Sequence, residues 1–223
     1  MKAVALTGYL AGMETTTSVV HSFILAMVLH PDVQARARAE INRVVKHDQI
    51  PSIDDRVSLP YLSAIFLEVL RWHPPIPLGI PHATTQDDVY DGYFIPKGAI
   101  VTVNQWALSR DEDTFPDASR FDPSRHLTID GKLKDPIVNH YTFGHGRRIC
   151  PGRWFAENAV WTAMAAILSV LHVDHSRDPH GHRIDIKPEY TGLMAIHPKP
   201  FQCSFESVNT AREEQLRAVM NFK

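Results

Sequence analysis

Apolar residues dominate the stretch from Val4 to Leu29, a pattern that predicts one long helix, apolar on most sides and therefore buried. Its middle, Ala11-Gly12-Met13-Glu14-Thr15-Thr16, breaks the pattern, because Gly and consecutive Thr are poor helix formers. Either the helix is distorted there or something packs closely against it. Pro31 ends this helix and suits the first turn of the next. That second helix carries Val33, Ala37, Ile41, Val44 and Val45 on one face and charge elsewhere, the signature of an amphipathic surface helix. Pro60 opens a third, with Leu62, Ile65, Phe66 and Leu70 as its apolar stripe, and Pro74-Pro75 stops it.

The period then changes. Val89 to Ile95, a Pro96-Lys97-Gly98 turn and Ile100 to Val103 predict a hairpin. From Asp111 to Ile149 neither period persists, and loops this long inside a domain are usually functional. A fourth helix is predicted over roughly Pro151 to Leu171, with Phe155, Ala159, Ala163, Ala166 and Val170 on one side. Short strands are expected at Arg183–Ile186, Leu193–Ile196 and Phe201–Phe205, and the polar tail from Ser207 has a helical pattern. The fold class is mainly α with small β-sheets, in one domain over residues 1–223, since no repeat or linker divides the chain.

Composition narrows the choices. The chain has 223 residues, is 44% apolar and 22% charged, and carries a net charge of -2. That is ordinary globular composition, and it gives no basic face for nucleic acid. Its N-terminus shows no secretory signal, and its longest apolar runs, such as Phe23–Leu29, are short for a bilayer span. The expectation is a soluble or peripheral chain. Two cysteines, Cys150 and Cys203, make no disulfide framework, so each is read alone.

Cys150 carries the sharpest signal. The run Phe143-Gly144-His145-Gly146-Arg147-Arg148-Ile149-Cys150-Pro151-Gly152 puts a cysteine before a helix and after a glycine-rich turn. A helix N-terminus favours an anion, here a thiolate, and flexible glycines let backbone amides turn toward the sulfur. A purely structural thiol would be the ordinary reading of an isolated cysteine. Zinc ligation by His140, His145 and Cys150 matches no common spacing. A dinucleotide loop fails because Ile149 stands where the third glycine belongs.

The segment resembles the cytochrome P-450 signature F-x-x-G-x-R-x-C-x-G at every fixed position: Phe143, Gly146, Arg148, Cys150 and Gly152. The wording F-G-H-G-R-R-I-C-P-G-R is most similar to fungal microsomal members. By that resemblance Cys150 ligates the iron of heme b, and Arg148 pairs with a heme propionate as arginines do with carboxylates. His82 occupies a place where the family often has a propionate-binding residue, though solvent exposure explains it as well. Glu68 and Arg71, three apart on one helix face, would ordinarily be a solvated ion pair. The family's E-x-x-R pair at this place is buried, and the segment Phe115 to Pro123 resembles its downstream meander, with Arg120 as third member.

Ala11 to Thr16 resembles the family's oxygen-binding stretch, with Glu14 as acid, Thr15 as alcohol, and Ala11 and Gly12 leaving room for oxygen. A Thr hydroxyl bonded to the carbonyl four residues back opens a groove for proton-relaying water. Tight helix packing at Gly12 and Thr15 is the plainer alternative. Ile76 to Ile80 and Thr191 to Leu193 resemble segments lining the substrate pocket, and Arg147 and Arg153 a basic surface for an electron donor.

The resemblance covers nearly the whole chain, which corresponds to the C-terminal part of the cytochrome P-450 fold, a partial domain beginning inside the central helix. It implies a monooxygenase hydroxylating an apolar substrate, fed by an NADPH-dependent flavoprotein reductase. A full-length relative is expected on the cytosolic face of the endoplasmic reticulum membrane. Two other readings stay open: a non-catalytic remnant that holds heme poorly, and a heme-thiolate isomerase or dehydratase, against which the Glu14-Thr15 pair argues.

Overall fold

A computed structural model describes residues 1–192 and 194–220 of the chain. Helix α1 spans Lys2–Leu29 without interruption. A Cβ placed on Gly12 would meet nothing within 4 Å, so neither distortion nor close packing accounts for that glycine. Buried residues of α1 begin at Ser18. Phe23, Ala26 and Met27 are sealed in the core, whereas Val4, Leu6, Tyr9 and Met13 stand exposed. The expectation of burial along the whole helix is therefore corrected: helices α2 (Pro31–Val44), α3 (Pro60–Trp72) and α5 (Arg153–Val170) pack on it, and it is the second half that is buried. By length and composition α1 is long and apolar enough to cross a membrane, although its second half is packed inside the protein.

Pro31 and Pro60 each sit in the first turn of their helices, where no N–H is needed. The start of α3 lacks a side-chain cap of its own. Glu40 of α2 supplies one from outside, its carboxylate accepting the amides of Tyr61 and Leu62 at 3.0 Å each. Every residue of α3 from Tyr61 to Arg71 is buried, so the stripe read from the sequence understates its enclosure. In α5 the expected face packs only in part: Val170 is buried, Ala159, Ala163 and Ala166 are half-buried. Phe155 is 73% exposed, and the buried stripe is Val160, Trp161, Met164, Ala165 and Leu168. The large side chains set the helix rotation, and the alanines fall beside them. Trp161 also donates from Nε1 to Ser63 Oγ (3.1 Å), locking α5 to α3.

Among the described residues, three two-stranded antiparallel sheets complete this mainly helical architecture. The predicted hairpin is corrected. Strands β2 (Asp88–Tyr90) and β3 (Tyr93–Ile95) pair with each other around Asp91-Gly92. Both turn residues have positive φ (49° and 81°), the left-handed backbone that a tight two-residue hairpin requires. Pro96 to Gly98 is a turn as well, but it leads to β4 (Ile100–Val101), which pairs with β1 (His82–Ala83). A short helix, α4 (Gln105–Ser109), follows with Asn104 as its cap.

Strands β5 (Leu171–His175) and β6 (Cys203–Ser207) form the third sheet. Buried Gln34 of α2 grips it, donating to Val173 O at 2.9 Å and accepting from Val173 N at 2.8 Å. The expected strand at Arg183–Ile186 is only a bridge between Arg183 and Arg177, and a second bridge joins Tyr190 and Pro198. Of the strand expected at Leu193–Ile196, Leu193 lies outside the described residues and Met194 to Ile196 form no strand, whereas the one expected at Phe201–Phe205 is met in part by β6. The polar tail does form a helix, α6 (Thr210–Met220). Its Arg212 is 1% exposed and reaches Gln49 O, Asn42 Oδ1 and Lys46 O at 2.8, 2.8 and 3.1 Å.

Trp161→Ala removes the largest sealed side chain and the bond to Ser63, and should lower unfolding free energy by about 3–5 kcal/mol. Urea denaturation followed by circular dichroism measures it. Ile129→Ala, at a fully exposed position, should change stability by less than about 0.5 kcal/mol.

Candidate functional site

The long aperiodic segment closes on Cys150 through two short 3-10 turns, Tyr141–Phe143 and Gly146–Arg148. Gly144 (φ 82°), after the first turn, and Gly146 (φ 62°), opening the second, take left-handed backbone. A Cβ on Gly146 would touch nothing within 4 Å, so glycine is required there by conformation and not by space. The Cys150 amide donates to Phe143 O at 2.8 Å, closing the loop on itself. Phe143 anchors it by packing against the core. Cys150 is a free, half-buried thiol placed just ahead of α5. A Cβ on Gly152 would sit 3.8 Å from its sulfur, an ordinary contact. Arg153 Nη1 donates to Cys150 O (3.2 Å) and lies over the Trp154 ring. Cys203 is also a free thiol, pushed up in pKa by burial.

Glu68 and Arg71 are both fully buried, joined by two bonds of 2.7 Å. Arg71 spends its remaining N–H groups on the carbonyls of Ser109 and Ala118 (2.8 Å each) and Arg120 (3.1 Å). Arg120 thus enters through its carbonyl, while its side chain is exposed, which corrects its expected place as the third charged member. That place is taken by Arg125, whose Nε donates to Glu68 Oε1 at 3.2 Å, while His126 Nε2 lies 2.9 Å from Oε2. Burial alone would raise the Glu68 pKa. The bonds from Arg71 and His126, the Arg71 charge and the Asp122 amide outweigh it and hold the carboxyl down at about 2.

On α1 the Thr15 hydroxyl donates to Ala11 O at 2.8 Å, four residues back. Glu14 is exposed and its Oε2 lies 3.0 Å from His197 Nε2, a partner not anticipated from the sequence. Ala11 is exposed and Gly12 half-buried. Arg147, Arg148 and His82 are exposed, His82 lying opposite Val101 in its sheet. Leu78 and Ile80, in one segment expected to line a pocket, are more than half exposed. Of the other such segment, Thr191 is half-buried, Gly192 is exposed and Leu193 is outside the described residues.

Sequence reasoning missed an aromatic cluster behind α3. His73 stacks on Tyr190 with ring centroids 3.4 Å apart, and Trp72 and Trp106 pack against it. Arg110 covers Trp106 and donates to Trp72 O (2.7 Å). Burial, with Arg110 and Arg71 nearby, drives the His73 pKa to about 3. Burial does the same to His140, in the loop leading to Cys150. Only the placement of His73 at the stop of α3 was visible locally; its partner Tyr190 is distant in the chain.

A helical body with small sheets and a cysteine loop opening its last core helix is the plan of the heme-thiolate proteins. The family model for cytochrome P-450 matches residues 1–205, and the chain belongs to that family. It is 42% identical to a cytochrome P-450 monooxygenase of Postia placenta over 92% of this chain and 39% of that protein. A cytochrome P-450 monooxygenase of Ampulloclitocybe clavipes is 40% identical over 95% of this chain and 39% of its own length. The tryptamine 4-monooxygenase of Psilocybe cyanescens is 44% identical, covering 87% and 39%. The chain therefore spans about two fifths of the length of these curated relatives.

The family implies heme, and the residues present fit it: a partly accessible free thiol, backbone folded tightly behind it, and an exposed Arg148 two residues before it.

The shifted groups set an acid limit on stability. His73 and His140 are held neutral, their pKa values lowered from 6.5 to about 3. Their contribution is complete above about pH 6.5 and is lost as pH falls toward 3. Glu68, lowered from 4.5 to about 2, contributes above about pH 4.5 and loses its share between there and pH 2. Urea midpoints should fall from pH 7 to pH 4, and His140→Gln should flatten that slope. Glu68→Gln should cost about 3–5 kcal/mol at pH 7 by leaving buried Arg71 without its counter-charge.

Proposed function

We propose that the chain supplies the heme-binding half of a monooxygenase that hydroxylates an apolar organic substrate, using O2 and electrons from an NADPH-dependent flavoprotein reductase. The observation that carries this reading is Cys150: a free thiol on a left-handed glycine loop, closed by its own amide on Phe143 O at 2.8 Å. Heme bound through that sulfur supplies an iron whose thiolate ligand favours O–O cleavage. The chain's own residues then have separate tasks. Cys150 would hold the iron through its sulfur, and Phe143 and Gly146 hold its loop. Arg148 binds a propionate, with His82 as a second candidate. Glu14 and Thr15 manage protons, with the Thr15 hydroxyl bonded to Ala11 O beside Gly12. Glu68, Arg71, Arg125 and His126 fix the core behind the loop. Arg147, Arg153 and the exposed Trp154 face the electron donor. A full-length protein works at the endoplasmic reticulum membrane.

A second reading is favoured by one observation. Val4, Leu6, Tyr9, Leu10 and Met13 leave the first half of α1 apolar and exposed, so the 223 residues alone offer heme too little enclosing apolar surface to retain it.

The ferrous protein with carbon monoxide tests both. The full enzyme should show the red-shifted thiolate band, and Cys150→Ser should abolish it; a band that survives the substitution overturns the ligand assignment. The same band from the 223-residue chain by itself overturns the second reading.

A further inference from the structure

Glu14 meets an imidazole presented by a backbone that is pinned on several sides. The His197 amide donates to Thr191 Oγ1 at 2.9 Å, and its carbonyl accepts the Thr191 amide at 2.9 Å. Next to it, the Ile196 amide donates to Pro75 O (2.9 Å), and Ile196 O accepts the Ser18 hydroxyl (2.5 Å). The loop is thereby tied to α1 and to the segment after α3. From that base Nε2 comes within 3.0 Å of Glu14 Oε2, across 183 residues of sequence.

The two partners differ in exposure. The His197 side chain is 21% exposed and that of Glu14 is 54%. The imidazole is therefore the more enclosed and better fixed of the two, yet it still reaches water. The titratable groups of α1 facing it are Glu14 and His21, the latter with its ring edge-on at 6.4 Å between centroids. Imidazole is the side chain best suited to take and release protons near neutral pH. A carboxylate on an exposed helix face samples several rotamers, and a bond from a fixed donor restricts them.

We propose that His197 is a positioning residue for Glu14, holding its carboxylate beside the Thr15 turn and passing it protons drawn from solvent. In the transfer the Nε2–H bond of the imidazolium breaks and an O–H bond forms at Glu14 Oε2. Neutral imidazole and a carboxylic acid result, and water reprotonates the ring after Glu14 has given its proton inward. No electron moves. The inference rests on the proposed role of Glu14 as the acid of the oxygen-binding stretch.

Two measurements test it. In the 223-residue chain, ring nitrogen-15 spectra should show the proton of His197 on Nε2, and Glu14→Ala should shift those signals; unchanged signals would mean the contact does not form. In the heme-loaded enzyme, His197→Ala should lower product formed per NADPH oxidised by at least about tenfold, with the balance released as hydrogen peroxide. Turnover driven by added hydrogen peroxide, which brings its own protons, should stay within about twofold, a split that damage to the fold would not give. His197→Gln keeps a donor but carries no transferable charge, so it should be as uncoupled as the alanine variant; full coupling in it overturns proton transfer through the ring. Glu14→Gln separates the two levels of inference. If it uncouples and His197→Ala does not, the role of His197 alone fails. If Glu14→Gln leaves coupling intact, the reading of Glu14 fails and this one with it.

Discussion

The carboxylate of Glu68 sits in the middle of the protein with no solvent contact, and several polymer segments are organised around its neutralisation. A carboxylate there is tolerable only if its lone pairs are filled and its charge is matched. Arg71 and Arg125 match the charge, and with His126 and the Asp122 amide they fill the lone pairs. Because Arg71 also holds the carbonyls of Ser109, Ala118 and Arg120, the long stretch without regular structure is fastened to α3 at several points. Such a segment has no ladder of its own to satisfy its backbone. The guanidinium supplies that satisfaction, and the path of the chain toward His140 and Cys150 follows from it.

The same economy recurs where elements meet. Glu40 caps a helix it does not belong to, and Gln34 closes both hydrogen bonds of Val173. Buried polar side chains here are mostly fasteners between elements, each making bonds that neither element can make alone. The cysteine loop is different in kind. Its shape comes from two left-handed glycines and one backbone bond, so the sulfur is placed by main chain and not by neighbouring side chains.

What was legible in the sequence was what short spacing encodes. The Cys150 motif, the Thr15 back-bond to Ala11, the Glu68–Arg71 pair and the proline-led helices all lie within a few residues of chain. What was not legible depended on long-range choice. Arg120 and Arg125 stand close together in one loop, and only the folded path shows which guanidinium reaches Glu68. The rotation of α5 was misjudged because a face of small residues looked as periodic as the face carrying Trp161, Met164 and Leu168. The hairpin is a plainer miss, since Asp91-Gly92 is itself the strongest short turn signal in that region. His197 had no local mark at all, because its partner lies at the other end of the chain.

The last helix carries a temporal implication. Arg212 places its guanidinium among carbonyls that follow the end of α2, at Val45, Lys46 and Gln49, and near Ser169 O in the final turn of α5. Ser169 O belongs to a last helical turn, where carbonyls lack intrahelical partners, and Val45 caps α2, whereas Lys46 O and Gln49 O lie in the loop beyond it. On the ribosome they emerge well before the residue that covers them. Those carbonyls therefore wait uncovered until Arg212 itself has emerged, and only then can the stitch between α2, α5 and α6 be made.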